Sequence, residues 1–256
     1  MTSIISVVNQ KGGVGKTTTV ISLAAYLGLK KKKVLVIDMD PQSNSTSSMG
    51  IDETTLETSI YDVLIDEKPI SEVIVKTETK NVDICPTDIN LAGAEIELVS
   101  AISREQILKT ALAEVKDNYD YIIIDCPPTL GLLTINALTA STDIIIPILG
   151  DYLSLKGLSL LNDTINLVKK KLNPDIKLLG VLLNMFDGRT QLARQVKEEV
   201  VKFYGDKVFD TEIPRNVRLS EAPSYGQTIC DYDKKSKGGM AYEKLAKEVI
   251  KRTKTV

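Results

Sequence analysis

Six short runs of mostly valine, isoleucine and leucine punctuate the chain: Ile4–Val8, Val34–Ile37, Val82–Cys85, Tyr121–Ile124, Ile144–Leu149 and Leu178–Leu183. Each is nearly continuous rather than alternating. A strand reads this way when both of its faces are covered, as in a parallel sheet. Between the runs, apolar positions fall at helical spacing. Thr17–Leu29 carries Val20, Leu23, Ala24 and Leu27. Arg104–Val115 follows Ser103 as a candidate N-cap, with Gln106 three residues on, the spacing of a capping box. Leu155–Leu172, Gln191–Tyr204 and Ala241–Ile250 complete the helical set. Strands alternating with helices predict right-handed crossovers. The expected fold is therefore α/β, a mostly parallel twisted sheet with helices on both faces. No internal repeat, low-complexity linker or Pro/Gly-rich boundary divides the 256 residues, and we expect one domain over 1–256. The run Lys30–Lys33 joins a helix end to a strand and reads as a solvated turn favoured by the helix dipole.

With 43% hydrophobic and 26% charged residues, the chain has a globular composition and the length to bury a core without disulfides or metal. A net charge of −2 argues against a surface coated with positive charge for nucleic acid. The charge is uneven, however: residues 184–256 hold 15 Lys/Arg and 11 Asp/Glu, a balance of +4, against −6 for residues 1–183. Such asymmetry can mark a localised binding face. Cys85, Cys126 and Cys230 have no paired or C-x-x-C spacing and read as buried thiols in a reducing compartment. The absence of histidine removes His-based general base chemistry and most zinc sites. No apolar run approaches the roughly 20 residues that span a bilayer, and the N-terminus lacks a signal-peptide pattern. We expect a cytoplasmic protein.

Between the first strand and the first helix lies Ser6–Thr19, SVVNQKGGVGKTTT. It reads as a phosphate-binding loop, although Gln10 stands where the strict G-x-x-x-x-G-K-[ST] pattern asks for glycine. Gly12, Gly13 and Gly15 let backbone N–H groups point inward, and the helix N-terminus adds its positive dipole end. Lys16 can reach β and γ phosphates, and the Thr17 hydroxyl can bind Mg²⁺. Two further strands end in acids, at Asp38 and Asp40 in VLVIDMDPQ and at Asp125 in YIIIDCPP. Ligands of open parallel sheets bind outside the carboxyl ends of strands, so these acids converge near the loop. There they can hold Mg²⁺ and orient an attacking water.

KGGVGKTTT, DMDPQ, YDYIIIDCPPTLGLLTINAL and IPRNVRLSEAPSYG together resemble the ParA/Soj family of partition ATPases, within the larger group that includes MinD. The likeness runs from about residue 2 to about residue 250. It implies a P-loop NTPase fold and a "deviant Walker A" loop, with Lys11, Gly12, Gly13, Val14, Gly15, Lys16, Thr17 and Thr18 on the nucleotide. By the same resemblance, Lys11 is the signature lysine that reaches the partner subunit's nucleotide in an ATP-sandwich homodimer. A cation delivered in trans neutralises charge on the transferred phosphoryl, as an arginine finger does. The resemblance also implies that Lys16 is the cis phosphate lysine, Thr17 a Mg²⁺ ligand, and Asp40 the residue that positions the hydrolytic water. Asp38 and Asp125 lie near Mg²⁺, residues 38–48 and 125–132 form the two switch segments, and Asn184, Pro214 and Asn216 hold adenine. Nonspecific double-stranded DNA binding is implied at Arg189 and Arg218, with Arg215, Lys235 and Lys237 nearby, as is a ParB-type partner that stimulates hydrolysis. The expected process is chromosome or plasmid partitioning by a nucleoid-associated protein with ATP and Mg²⁺ as cofactors.

The sequence departs from the family at Leu149–Leu158, LGDYLSLKGL, where members often carry Q-C-E-Y-Y-A-L-E-G-L. Because the loop begins at residue 10, we expect the short form that lacks an N-terminal helix-turn-helix. A MinD-like membrane-positioning ATPase is the alternative. It needs a C-terminal amphipathic helix, but Tyr242, Leu245, Ala246, Val249 and Ile250 read as packing on the domain, so no membrane is expected. An iron protein-like reductase needs paired cysteines that could bridge two subunits, and 149–158 has none. A ParA-like regulator of replication initiation or development would use the same chemistry.

Overall fold

The computed structural model describes residues 2–254, and of residues 152–157 the backbone alone. Among the described residues seven strands form one sheet: β1 (Ser3–Val7), β2 (Val34–Asp38), β3 (Val75–Lys76), β4 (Val82–Cys85), β5 (Tyr121–Asp125), β6 (Asp143–Leu149) and β7 (Lys177–Asn184). Their order is β3-β4-β2-β5-β1-β6-β7. All pairings are parallel except β3 with β4. The sequence pattern did not reveal β3, because two residues carry no periodicity. Its brevity and Lys76 suit an edge strand, which must not template a further chain.

The six expected strands form because each supplies alternate residues to two cores. In β5, Ile122 and Ile124 enter one core while Tyr121 and Ile123 enter the other. β2 divides the same way, with Leu35 and Ile37 on one side and Val34 and Val36 on the other. The second core is closed by α1 (Lys16–Leu29) and the C-terminal helix Lys237–Lys254, which pack on each other. Beside α1 lies the short α2 (Asn44–Ser48), and the first core is closed by α3 (Ile60–Ile65), α4 (Ile70–Val73), α5 (Leu91–Glu97), α6 (Ile107–Leu112), α7 (Leu132–Ala140), α8 (Tyr152–Lys171) and α9 (Gln191–Tyr204). Two short helices, α10 (Arg218–Glu221) and α11 (Ile229–Asp233), lead into that C-terminal helix, α12. Tyr242, Leu245, Ala246 and Val249 of α12 are buried and Ile250 packs against the same core, as the sequence predicts.

One expected helix is shorter than its pattern. Arg104–Val115 contracts to Ile107–Leu112, and Ser103 is no N-cap: its backbone is left-handed, with φ 54°. The cap comes from another helix. Asn136 of α7 accepts the Leu108 N–H at 3.2 Å and donates to the Arg104 carbonyl at 2.7 Å. The Lys30–Lys33 run is the expected turn, closed where the Asp120 carboxylate accepts from the Lys33 N–H and from Lys32 Nζ.

Chain direction explains where a ligand can sit. From β1 the chain crosses by α1, on one face, to β2, whereas α7 and α8 carry it on the other face from β5 to β6 and β7. The carboxyl end of β1 therefore opens at a switch in strand order, the place where open α/β sheets bind ligands.

Candidate functional site

The loop from Asn9 to Gly15 occupies this switch point. Asn9 is buried; it donates to the Pro147 carbonyl at 2.8 Å and accepts the Lys11 N–H at 2.9 Å, pinning the loop to β6. Gly13 and Gly15 have φ of 72° and 83°, a region that costs any residue with a Cβ. At Gly15 the Asn184 amide stands where a Cβ would go. Around Gly12 and Gly13 there is open space: an added Cβ would meet nothing within 4 Å. Gly15 precedes α1, so its first N–H groups face that space unpaired within the helix.

Lys16 is buried at the start of α1. Burial pulls its ammonium below the usual lysine range, while Asp125, Cys126 and Asp40 act in the opposite direction. Asp38 and Asp125 are register partners on β2 and β5. Asp38 is fully buried, and its carboxylate accepts from the Asp40 N–H (3.2 Å), the Thr46 N–H (2.8 Å) and the Thr46 hydroxyl (2.7 Å). Burial and the nearby Asp125 charge push it upward. Burial likewise raises Asp125, against the Thr17 and Ser45 hydroxyls and Lys16. Ser45 donates to Asp125 Oδ2 at 2.8 Å, and among the described residues the buried Oδ1 has no hydrogen-bond partner. Asp40 is 6% exposed and accepts the Gln42 N–H. Two carboxylates, Asp125 and Asp40, thus act on one ammonium, Asp38 adjoins Asp125, and one carboxylate oxygen is unsatisfied. A divalent cation fits this deficit of positive charge, because Mg²⁺ is held by few protein oxygens together with phosphates and water. Among the described residues no three His, Cys, Asp or Glu side chains form a closed metal cage.

Lys11 is held within its own chain. Its Nζ donates to both oxygens of Asp151, at 2.9 and 2.8 Å. Asp151 belongs to the unusual 149–158 stretch, of which the side chains of 152–157 lie outside the described residues. Thr18 is half-buried on the first turn of α1, and Val14 is buried beneath the loop.

The three residues expected at adenine are divided. Asn184 is buried, donates to the Val14 carbonyl at 2.8 Å and accepts the Met185 N–H, so its amide is committed to the loop. Pro214 and Asn216 lie on the next segment, joined to the end of β7 where the Phe186 N–H donates to the Ile213 carbonyl at 2.9 Å. Met185, 44% exposed and at φ 49°, stands beside Gly15. Sequence reasoning missed it, as it missed Asn9 and Asp151; none of them fits a recurring motif.

The same Phe186–Ile213 contact joins the segment that carries Arg189 to the one that carries Arg215. Lys237 shares a groove of about 330 Å³ with Phe186, Gly188 and Pro214. Arg218 Nε lies 3.8 Å from Asp233, two residues before Lys235. Acids hold two of the basic candidates. Asp187 binds the Arg189 guanidinium through both oxygens (2.8 and 2.7 Å), and Glu221 accepts from Arg218 at 2.7 Å. All three cysteines are buried and unpaired. Among the described residues no helix is long and apolar enough to cross a membrane.

Comparison with known proteins bears on this geometry. A family described as an AAA domain matches residues 2–178. The chain is 56% identical over 249 residues to the sporulation initiation inhibitor protein Soj of Bacillus subtilis, covering 97% of this chain and 98% of that protein. It is 50% identical over 249 residues to the chromosome partitioning protein ParA of Myxococcus xanthus, covering 97% and 88%. The solved structure of cobyrinic acid a,c-diamide synthase from Mycobacterium smegmatis with bound ADP and magnesium has a TM-score of 0.88 at 39% identity, over 100% of this chain and 96% of that one. A glycine loop with an early lysine, acids at the ends of β2 and β5, and identity of this extent over nearly the whole length leave one assignment: the chain belongs to the ParA/Soj family of partition ATPases.

Proposed function

We propose that this chain, as one domain, is an ATP hydrolase that forms an ATP-sandwich dimer, binds double-stranded DNA without sequence preference and drives chromosome or plasmid partitioning. A ParB-type partner stimulates hydrolysis and so releases the DNA. The observation that carries the reading is the unsatisfied Asp125 Oδ1 beside Lys16 and Thr17, under a glycine loop open to solvent. The names of the relatives support it, and the neighbour with ADP and magnesium supports the choice of ligand.

The residues divide the work. The backbone of Gly12–Gly15 and the N-terminus of α1 bind phosphate oxygens. Lys16 neutralises β and γ phosphates, and its burial keeps water from competing. Thr17, Asp38 and Asp125 would hold Mg²⁺, which when bound would supply further neutralisation of phosphate charge. Asp40 orients the attacking water. With no histidine and no strong base, intrinsic turnover is slow. Pro214, Asn216 and Met185 line the base, and Asn184 supports the loop from below. Lys11 leaves Asp151 to reach the partner's nucleotide, and Arg189, Arg215, Arg218, Lys235 and Lys237 meet DNA phosphates.

ATP-dependent DNA binding by a variant set tests this. Lys16→Ala loses nucleotide-driven dimerisation. Asp40→Ala accumulates an ATP dimer that still binds DNA. Arg189→Glu/Arg218→Glu dimerises but does not bind DNA. Normal DNA binding by the double arginine variant would show that the surface is wrongly assigned.

A further inference from the structure

The segment from Asp88 to Glu105 breaks the usual rule for a surface helix. Leu91, Ala94 and Leu98 of α5 and the turn after it are buried, which accounts for one apolar face. A second apolar stripe lies opposite. Ile89 is 73% exposed, Ile96 78%, Val99 59% and Ile102 93%. Ala92 and Ile96 share a face of α5, with Ile89 in the turn before it, Val99 in the single 3-10 turn that follows it and Ile102 just beyond. A helix apolar on both faces is one that is covered on both faces.

Charge indicates what covers it. Residues 88–105 hold four acids, Asp88, Glu95, Glu97 and Glu105, against one base, Arg104, whose Nε donates to Glu105. Glu95 turns inward and Arg104 offsets Glu105, which leaves Asp88 and Glu97 as the acids beside the strip, and an aliphatic strip flanked by acids repels an anionic lipid surface. A twofold contact of the strip with itself would set acid against acid. A helix with aliphatic side chains on one face and lysine or arginine flanking them meets both demands.

The strip is also joined to the candidate site. Glu95 turns inward from α5, its buried Oε1 without a hydrogen-bond partner among the described residues, and it fills the space where a Cβ at Gly131 would lie. Gly131 ends the segment that begins at Asp125, and α7 starts at the next residue with no side-chain cap. A carboxylate at that helix N-terminus is favoured by the dipole.

We infer that Ile89, Ile96, Val99 and Ile102 dock a short basic amphipathic helix of a partner protein, and that Glu95 is the positioning residue that carries its seating to the Asp125–Gly131 segment. This rests on the partner-stimulated ATPase proposed above and gives that partner a surface and a chemistry.

The probe is a labelled leucine/lysine helix with leucines at i, i+3, i+4 and i+7. Competitors have glutamate in place of lysine, or serine in place of leucine. Anisotropy is read on the full chain with ATP and Mg²⁺. The wild type binds the probe and neither competitor displaces it. Ile96→Ser/Ile102→Ser binds about tenfold more weakly or worse, since buried aliphatic anchors dominate such contacts. Both positions are exposed, so its melting temperature, basal turnover, dimerisation and DNA binding stay at wild-type values. Glu95→Gln keeps probe binding and the KM for ATP but loses the probe-stimulated part of kcat, and Glu95→Asp restores some of it. Docking is overturned if the wild type does not bind, if the double variant binds equally well, or if the glutamate helix competes. It is also overturned if the double variant loses ATP-driven dimerisation, which would assign the strip to a second copy. The role of Glu95 is overturned if Glu95→Gln is stimulated normally. Because anisotropy needs no turnover, a wild type that binds the probe but neither hydrolyses ATP nor binds DNA would sink the partition reading alone.

Discussion

Lys11 and Asp151 lie 140 residues apart, yet the ammonium is shared between both carboxylate oxygens. If Lys11 is to reach a partner's nucleotide, this pair must open first. The side chains are 31% and 38% exposed, so solvent screens the pair and its strength is about 0.2–1 kcal/mol. Asp151→Asn should therefore favour the ATP dimer by no more than about fivefold, read as a lower dimer dissociation constant in analytical ultracentrifugation. Lys11→Ala should retain ATP in a binding assay while impairing hydrolysis. Gly15 shows the opposite kind of constraint. At φ 83°, with Asn184 in the Cβ position, Gly15→Ala should cost at least about 1–2 kcal/mol and weaken nucleotide binding, measured by thermal melting and nucleotide titration. The loop itself was legible in sequence because Lys16, Thr17 and the glycines are neighbours in the chain. Asp151 and Asn9 were not, because what they hold is set by β6, far away in the chain.

At the scale of elements, strands were legible wherever both faces are buried. Val34–Ile37 and Tyr121–Ile124 leave no polar position to confuse the reading, and each appears within a residue of its expected bounds. Helix ends failed where the cap is tertiary. Ser103 and Gln106 have the spacing of a capping box, but Asn136 from α7 wins because it is buried and satisfies the Leu108 N–H and the Arg104 and Leu132 carbonyls together. Removing it strands buried polar groups, whereas Ser103 supplies no side-chain cap. Asn136→Ala should thus cost about 1–3 kcal/mol and lower the melting temperature by about 2–4 °C for each kcal/mol. Ser103→Ala should stay within about 0.5 kcal/mol. Equal effects of the two changes in thermal melts would contradict the tertiary cap. The same blindness hid the exposed strip beside α5: a sequence pattern identifies apolar positions but not which of them the fold leaves uncovered.

For the whole molecule, the question is how a chain with net charge −2 could hold DNA. Sequence located the excess, +4 over residues 184–256, but not the acids that temper it. Asp187 and Glu221 grip Arg189 and Arg218, so phosphates must displace a carboxylate at each. In the proposed function, pairing two chains would double the phosphate contacts without changing the chemistry of any residue, and would tie DNA affinity to the nucleotide that drives pairing. The salt dependence measures the count. Each phosphate contact adds about 0.9 to the slope of log K against log salt. Arg189→Ala/Arg218→Ala removes two contacts from each of two chains, so the slope for the ATP dimer should become shallower by about 3–4. Asp187→Asn should act oppositely, tightening DNA binding at every salt concentration while leaving the slope unchanged, because it removes a competitor for Arg189 and adds no contact. A slope unaltered by the arginine changes, measured on DNA of two unrelated sequences, would move the DNA surface elsewhere on the dimer.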